Sequence, residues 1–143
     1  MYMLKFFTAF FILATGVCGQ VDNRTPETTS PDAGLTIEYI ANEGISISSG
    51  STRILLDAIH RRYKPAYAFT PEAMLAKIES ARYPYNKINL ILVSHYHLDH
   101  FHPESIASHL ANNNRAMLIS SDQVIDETLK SRDELAKTSG KKG

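Results

Sequence analysis

Four histidines and one aspartate fall within the eight residues His95-Tyr96-His97-Leu98-Asp99-His100-Phe101-His102. Imidazole and carboxylate together are the side chains that hold divalent metals, zinc above all and also iron or manganese. No thiolate lies nearby, which excludes the cysteine-rich structural zinc classes. In an extended or tightly turning segment, residues two apart point to the same side. His95 and His97 can therefore present two imidazoles to one cation while Tyr96 faces away, and Asp99 and His100 follow at the turn, where a second cation could be held beside the first. The ligand set points to chemistry more than to scaffolding.

What must position these groups is the segment just before them. Ile88-Asn89-Leu90-Ile91-Leu92-Val93 reads as a buried strand that delivers the cluster into a loop. A second carboxylate, Asp57, closes the apolar run Ile54-Leu55-Leu56. A carboxylate at the end of a buried strand needs partners such as loop amides or a histidine ring nitrogen, or its desolvation would cost several kcal/mol.

His95-x-His97-x-Asp99-His100 after a hydrophobic strand resembles the metal-binding loop of the metallo-β-lactamase superfamily. The resemblance implies an α/β fold, here the N-terminal half of an αββα sandwich, with a β-meander followed by βαβα units. It implies a hydrolase carrying one or two metals. By position, His95 and His97 would hold the first metal and Asp99 and His100 the second, with Asp99 also orienting the attacking hydroxide and Asp57 supporting the loop from behind. The resemblance covers residues 35 to 130. The family takes further ligands, a histidine, a bridging aspartate and a final histidine, from later loops. No histidine follows His109 here, and Asp122, Asp126 and Asp133 sit in no matching context. The expectation is a fragment, a truncated product or a half-domain completed by a second chain, with one sheet face left uncovered.

The 143 residues suffice for one domain, and 15 basic residues balance 15 acidic ones. This gives no basic surplus for nucleic acid. Residues 1–19 read as a signal peptide: a basic start at Lys5, an apolar run from Phe6 to Ala14, and Val17 and Gly19 before the cut. The chain is therefore expected to be secreted or periplasmic, with no membrane span after cleavage. Cys18, the only cysteine, admits lipoprotein anchoring, although Val17 before it disfavours that. Residues 20–34 form a polar tether.

Leu35–Ile40, Ile45–Ser48 and Arg53–Asp57 are predicted as three strands of a meander, with Asn42-Glu43-Gly44 as the first turn. His60, Arg61, Arg62, Tyr63, Lys64 and Tyr67 form a cationic and aromatic segment that could overhang the metal site. Thr70 is the expected cap of a helix with Pro71 first and Met74, Leu75 and Ile78 inward. His102 is expected at the cap of a second helix with Ile106, Ala107 and Leu110 inward. His102 and His109 read as solvated rather than metal-bound. Ala116–Ile119 is a short strand, and Ser120 or Ser121 caps a last helix containing Val124, Ile125 and Leu129. Residues 131–143 read as a disordered tail.

The function expected is an exported zinc-dependent hydrolase acting on a small ester, lactone, lactam or phosphodiester. Arg61, Arg62 and Lys64 tilt the choice toward an anionic substrate. The alternative is a catalytically inactive metal-binding remnant, or a half-domain that needs a complementary chain.

Overall fold

The computed structural model describes residues 34–140, so the signal-peptide, Cys18 and tether expectations lie outside the described residues, as does the end of the tail. Alternating apolar and polar residues make β1 (Thr36–Ala41), β2 (Gly44–Ser49) and β3 (Thr52–Leu56) an antiparallel meander. After α1 (Glu72–Glu79) and a 3-10 turn (Tyr85–Lys87), the apolar β4 (Ile88–Leu92) pairs with β3 in parallel. Then α2 (Pro103–Asn112), β5 (Met117–Ile119), parallel to β4, and α3 (Asp122–Ser139) follow. The result is an α/β fold built on one mixed five-stranded sheet in the order β1-β2-β3-β4-β5. None of the helices among the described residues is long and apolar enough to cross a membrane.

The helices bury one face of the sheet. Leu55 and Ile91 pack with Leu75, Ile78, Ile106 and Val124, all at most 1% exposed. The opposite face is apolar and carries no covering element among the described residues. Two cross-strand rows run over it, Ile37-Ile47-Ile54-Leu90-Met117 and Tyr39-Ile45-Leu56-Leu92-Ile119. Ile37, Tyr39, Met117 and Ile119 are more than half exposed, and none of the ten is buried. Strand periodicity of two accounts for both faces: Ile45, Ile47, Ile54, Leu56, Leu90 and Leu92 line the uncovered face, while Ser46, Leu55 and Ile91 point the other way and are buried.

Two local expectations are corrected. Thr70 does not cap α1; it is fully buried and its hydroxyl donates to the Ala58 carbonyl at 2.8 Å, which ties the α1 entry to the end of β3. The tail expected from Ser131 is helical through Ser139. Arg132, Glu134, Leu135, Ala136 and Lys137 are good helix formers. A Lys130–Glu127 pair at 2.7 Å supports the preceding turn. Such a polar helix needs no apolar stripe to be formed locally.

Candidate metal centre

The site is assembled where three segments meet at the C-terminal end of the parallel pair. The β3 end continues as Asp57-Ala58-Ile59-His60, and the β4 end continues as the histidine loop. A parallel bridge from Ile59 to Phe101, with the His102 amide donating to the Ile59 carbonyl at 2.7 Å, holds the two side by side. The third segment is the β1–β2 turn, Ala41 to Gly44. Because β2 runs antiparallel to β3 with Ile45 opposite Leu56, this turn falls at the same end of the sheet. Asn42 Nδ2 donates to the Asp99 carbonyl at 3.2 Å. Gly44 is buried, and a Cβ there would lie 2.8 Å from the Ala41 carbonyl oxygen and 2.9 Å from that of Asp57. Only a residue without a side chain allows that approach.

Asp57, 5% exposed, has the partners a buried carboxylate requires. Its Oδ1 accepts the Ser94 amide at 2.7 Å, and its Oδ2 accepts Nδ1–H of His100 at 3.0 Å. Its own backbone amide donates to the Leu92 carbonyl at 3.0 Å, and its φ of 46° turns the chain sharply at the strand end. With Nδ1 of His100 committed to Asp57, Nε2 keeps its lone pair, 4.0 Å from Oδ2 of Asp99. A carboxylate behind a histidine fixes both tautomer and ring orientation for ligation. Glu43, Asp99 and His100 each offer a ligand atom, and the three atoms lie within 4.8 Å of one another. Two carboxylates and an imidazole in that space are a group that fits a divalent cation.

His95 and His97 form a more open pair. His95 Nε2 and His97 Nδ1 are 3.1 Å apart, close to the roughly 3.3 Å between adjacent nitrogens that a zinc–nitrogen bond of about 2.0–2.1 Å gives in a tetrahedral site. Ser94 Oγ lies 3.0 Å from His95 Nδ1 and 3.2 Å from His100 Nδ1, and the rings of His95 and His100 are 3.9 Å apart between centroids. Tyr96 is half exposed and packs edge-on against His97. The four predicted ligands are thus gathered at one end of the sheet, with Asp57 directly behind them.

Neither His102 nor His109 is a solvated residue. His102 stands at the N-cap of α2, its Nδ1 2.9 Å from Ser105 Oγ and its Nε2 3.3 Å from Glu104, and burial holds its pKa below 6.5 despite that carboxylate. His109 is fully buried between helices. Its Nδ1 donates to the Ile78 carbonyl at 2.6 Å and its Nε2 meets Asn113 Nδ2 at 3.1 Å; burial lowers its pKa from 6.5 while the carbonyl acts the other way. It joins α1 to α2. The cationic segment is also partly committed: Arg61 pairs with Glu79 at 2.6 Å and Glu72 at 3.2 Å, Arg62 lies over Phe69, and Lys64 lies over Tyr63.

Glu43 was not among the residues that the spacing singles out. It belongs to a turn 52 to 57 residues before the histidine loop, and only the hairpin's antiparallel return beside β3 brings it there. That topological signal is present in the sequence as a meander followed by a parallel strand. Comparisons with protein-family models, with curated proteins and with solved structures return no match to this chain.

Proposed function

We propose that this chain is an exported metal-dependent hydrolase of the metallo-β-lactamase type, with zinc held by His95 and His97 at one position and by Asp99 and His100 at a second. The observation that carries the reading is the Asp57–His100 hydrogen bond. It leaves His100 Nε2 free to ligate beside Asp99, and the Ser94 amide on the other Asp57 oxygen fixes where the loop begins. Zinc bound there supplies Lewis acidity, which brings the pKa of water toward neutrality and polarises a carbonyl or phosphoryl oxygen.

The chain's own groups do the rest. Besides ligating, Asp99 would accept a hydrogen bond from the attacking water and orient its lone pair. Asp57 keeps the His100 ring from rotating, and Asn42, through the Asp99 carbonyl, holds the loop backbone in place. Water adds to an acyl or phosphoryl centre, the bond to the leaving oxygen, nitrogen or sulfur breaks, and the proton that the water gives up passes to the leaving atom. An ester, lactone, lactam or phosphodiester meets these requirements, and fold analogy does not choose among them. Arg61 is neutralised by two glutamates, so of the three cations Arg62 and Lys64 are left to favour an anionic substrate.

The test is calorimetric titration of the full chain with zinc chloride, with His97→Ala as control, followed by turnover of a lactam, a lactone, a thioester and a phosphodiester. Stoichiometric binding weakened by the substitution, together with metal-dependent turnover of one substrate, is expected. Zinc binding without turnover of any of them would replace the enzyme with a metal-binding protein. Absence of zinc binding would remove both.

A further inference from the structure

The sequence and its resemblance leave the second position with only two ligands, Asp99 and His100. Around them the fold places two further groups. Glu43 comes from the β1–β2 turn, which is anchored by Asn42 to the loop and by Gly44 to the end of β3, so its approach does not depend on a free loop. His60 comes from the segment paired with the loop through Ile59 and Phe101.

His60 is the one buried side chain among the described residues whose polar atom lacks a partner. It is 1% exposed, and its Nε2 has no hydrogen bond. The ring is hydrogen-bonded to the Ala41 backbone, and since Nε2 is unpartnered that bond is made by Nδ1. A histidine with Nδ1–H on a backbone carbonyl and a bare Nε2 lone pair is in the tautomer that ligates a metal. His60 lies outside the 4.8 Å group itself, and the charged groups whose fields reach it are His100, Asp99 and Glu43, the three that form that group. Burying an unpaired imidazole nitrogen is costly, and a ligated cation would remove that cost. Ala41, whose carbonyl orients His60, lies two residues before Glu43, so one turn controls both groups.

We infer that Glu43 and His60 complete the second cation position with Asp99 and His100, making it a four-residue site of two carboxylates and two imidazoles drawn from three segments of this chain. The inference rests on the reading of Asp99 and His100 as ligands. It adds that the protein's own β1–β2 turn and the segment after β3 close the site. The resulting donor set, two oxygens and two nitrogens, suits zinc and equally iron(II) or manganese.

The direct test is nitrogen-15 NMR of the histidine rings in the unsubstituted full chain during titration with zinc chloride. A ligating nitrogen changes its shift by tens of parts per million, and no variant has to fold. The Nε2 resonances of His60 and His100 are expected to move together at the same zinc equivalent. In calorimetry Glu43→Gln should weaken that equivalent about tenfold or more, with the His95 and His97 equivalent unaltered. Movement of His100 with His60 unmoved and Glu43→Gln silent would overturn the inference and leave Asp99 and His100 as ligands. If no ring moves and no heat is released, the metal reading itself falls.

Discussion

The two ends of the histidine loop are built differently. His95 and His97 stand at its open side, held mainly by each other and by Ser94, whereas His100 is pinned by a carboxylate that is itself pinned by a backbone amide. A ligand held only by its neighbours can be removed at little cost to the fold. One held through Asp57 cannot, because the group that orients it also closes the β3–β4 junction. Cation affinity and folding stability should therefore separate at the first position and travel together at the second.

Asp57→Ala should show the largest effect. It strands the Ser94 amide and the His100 ring, so urea unfolding should report a loss of about 3 kcal/mol, and the second zinc equivalent should weaken at least about tenfold. An unchanged unfolding midpoint would dissolve the distinction drawn above. Gly44→Ala comes next. Its Cβ would meet backbone oxygens at 2.8 and 2.9 Å that have no side-chain freedom to withdraw, so about 2 kcal/mol should be lost and the Glu43 contribution to zinc binding weakened with it.

A smaller effect concerns a histidine far from the site. Burial lowers the pKa of His109 from 6.5, so the unfolded chain binds a proton that the folded ring refuses. The stability tied to this group is fully present above pH 6.5 and declines as pH falls below it, down to the folded ring's lowered pKa. One proton limits the slope to about 1.4 kcal/mol per pH unit. Unfolding midpoints measured from about pH 7.5 to 5.5 should fall, and His109→Gln should flatten that part of the curve. The smallest expected change in stability belongs to His97→Ala, within about 0.5 kcal/mol, even though it removes a proposed ligand of the first position. A large loss there would make both ends of the loop structural.

Much of this arrangement could be read from local pattern. Strand alternation located the meander, the apolar run located β4, and Pro103 placed His102 at the α2 cap, because each of these is decided by neighbours in the chain. Asp57 was legible for a different reason: a carboxylate after Ile54-Leu55-Leu56 has to find partners, and an amide and an imidazole are what it found. The place of Glu43 beside Asp99 and His100, and the unpartnered nitrogen of His60, were not legible. Nothing beside them in sequence marks them, and their role depends on register between strands. Thr70 misled because a threonine before Pro71 has the form of a cap, while the buried Ala58 carbonyl competes for the same hydroxyl. The helix beyond Ser131 was missed because Leu135 and Ala136 are its only apolar residues, too few to show a period, and only intrinsic propensity marks it.

The contacts that define the centre span 37 residues from Asp57 to Ser94, 43 from Asp57 to His100 and 57 from Asn42 to Asp99. None can form within a hairpin or a single helical turn. During folding the centre must wait for the parallel register of β3 and β4, whose closure of a long intervening loop is the slow kind of event. A divalent cation would then find no preformed nucleus to template. It should leave the folding rate nearly unchanged and slow unfolding instead, acting as a latch on a finished structure.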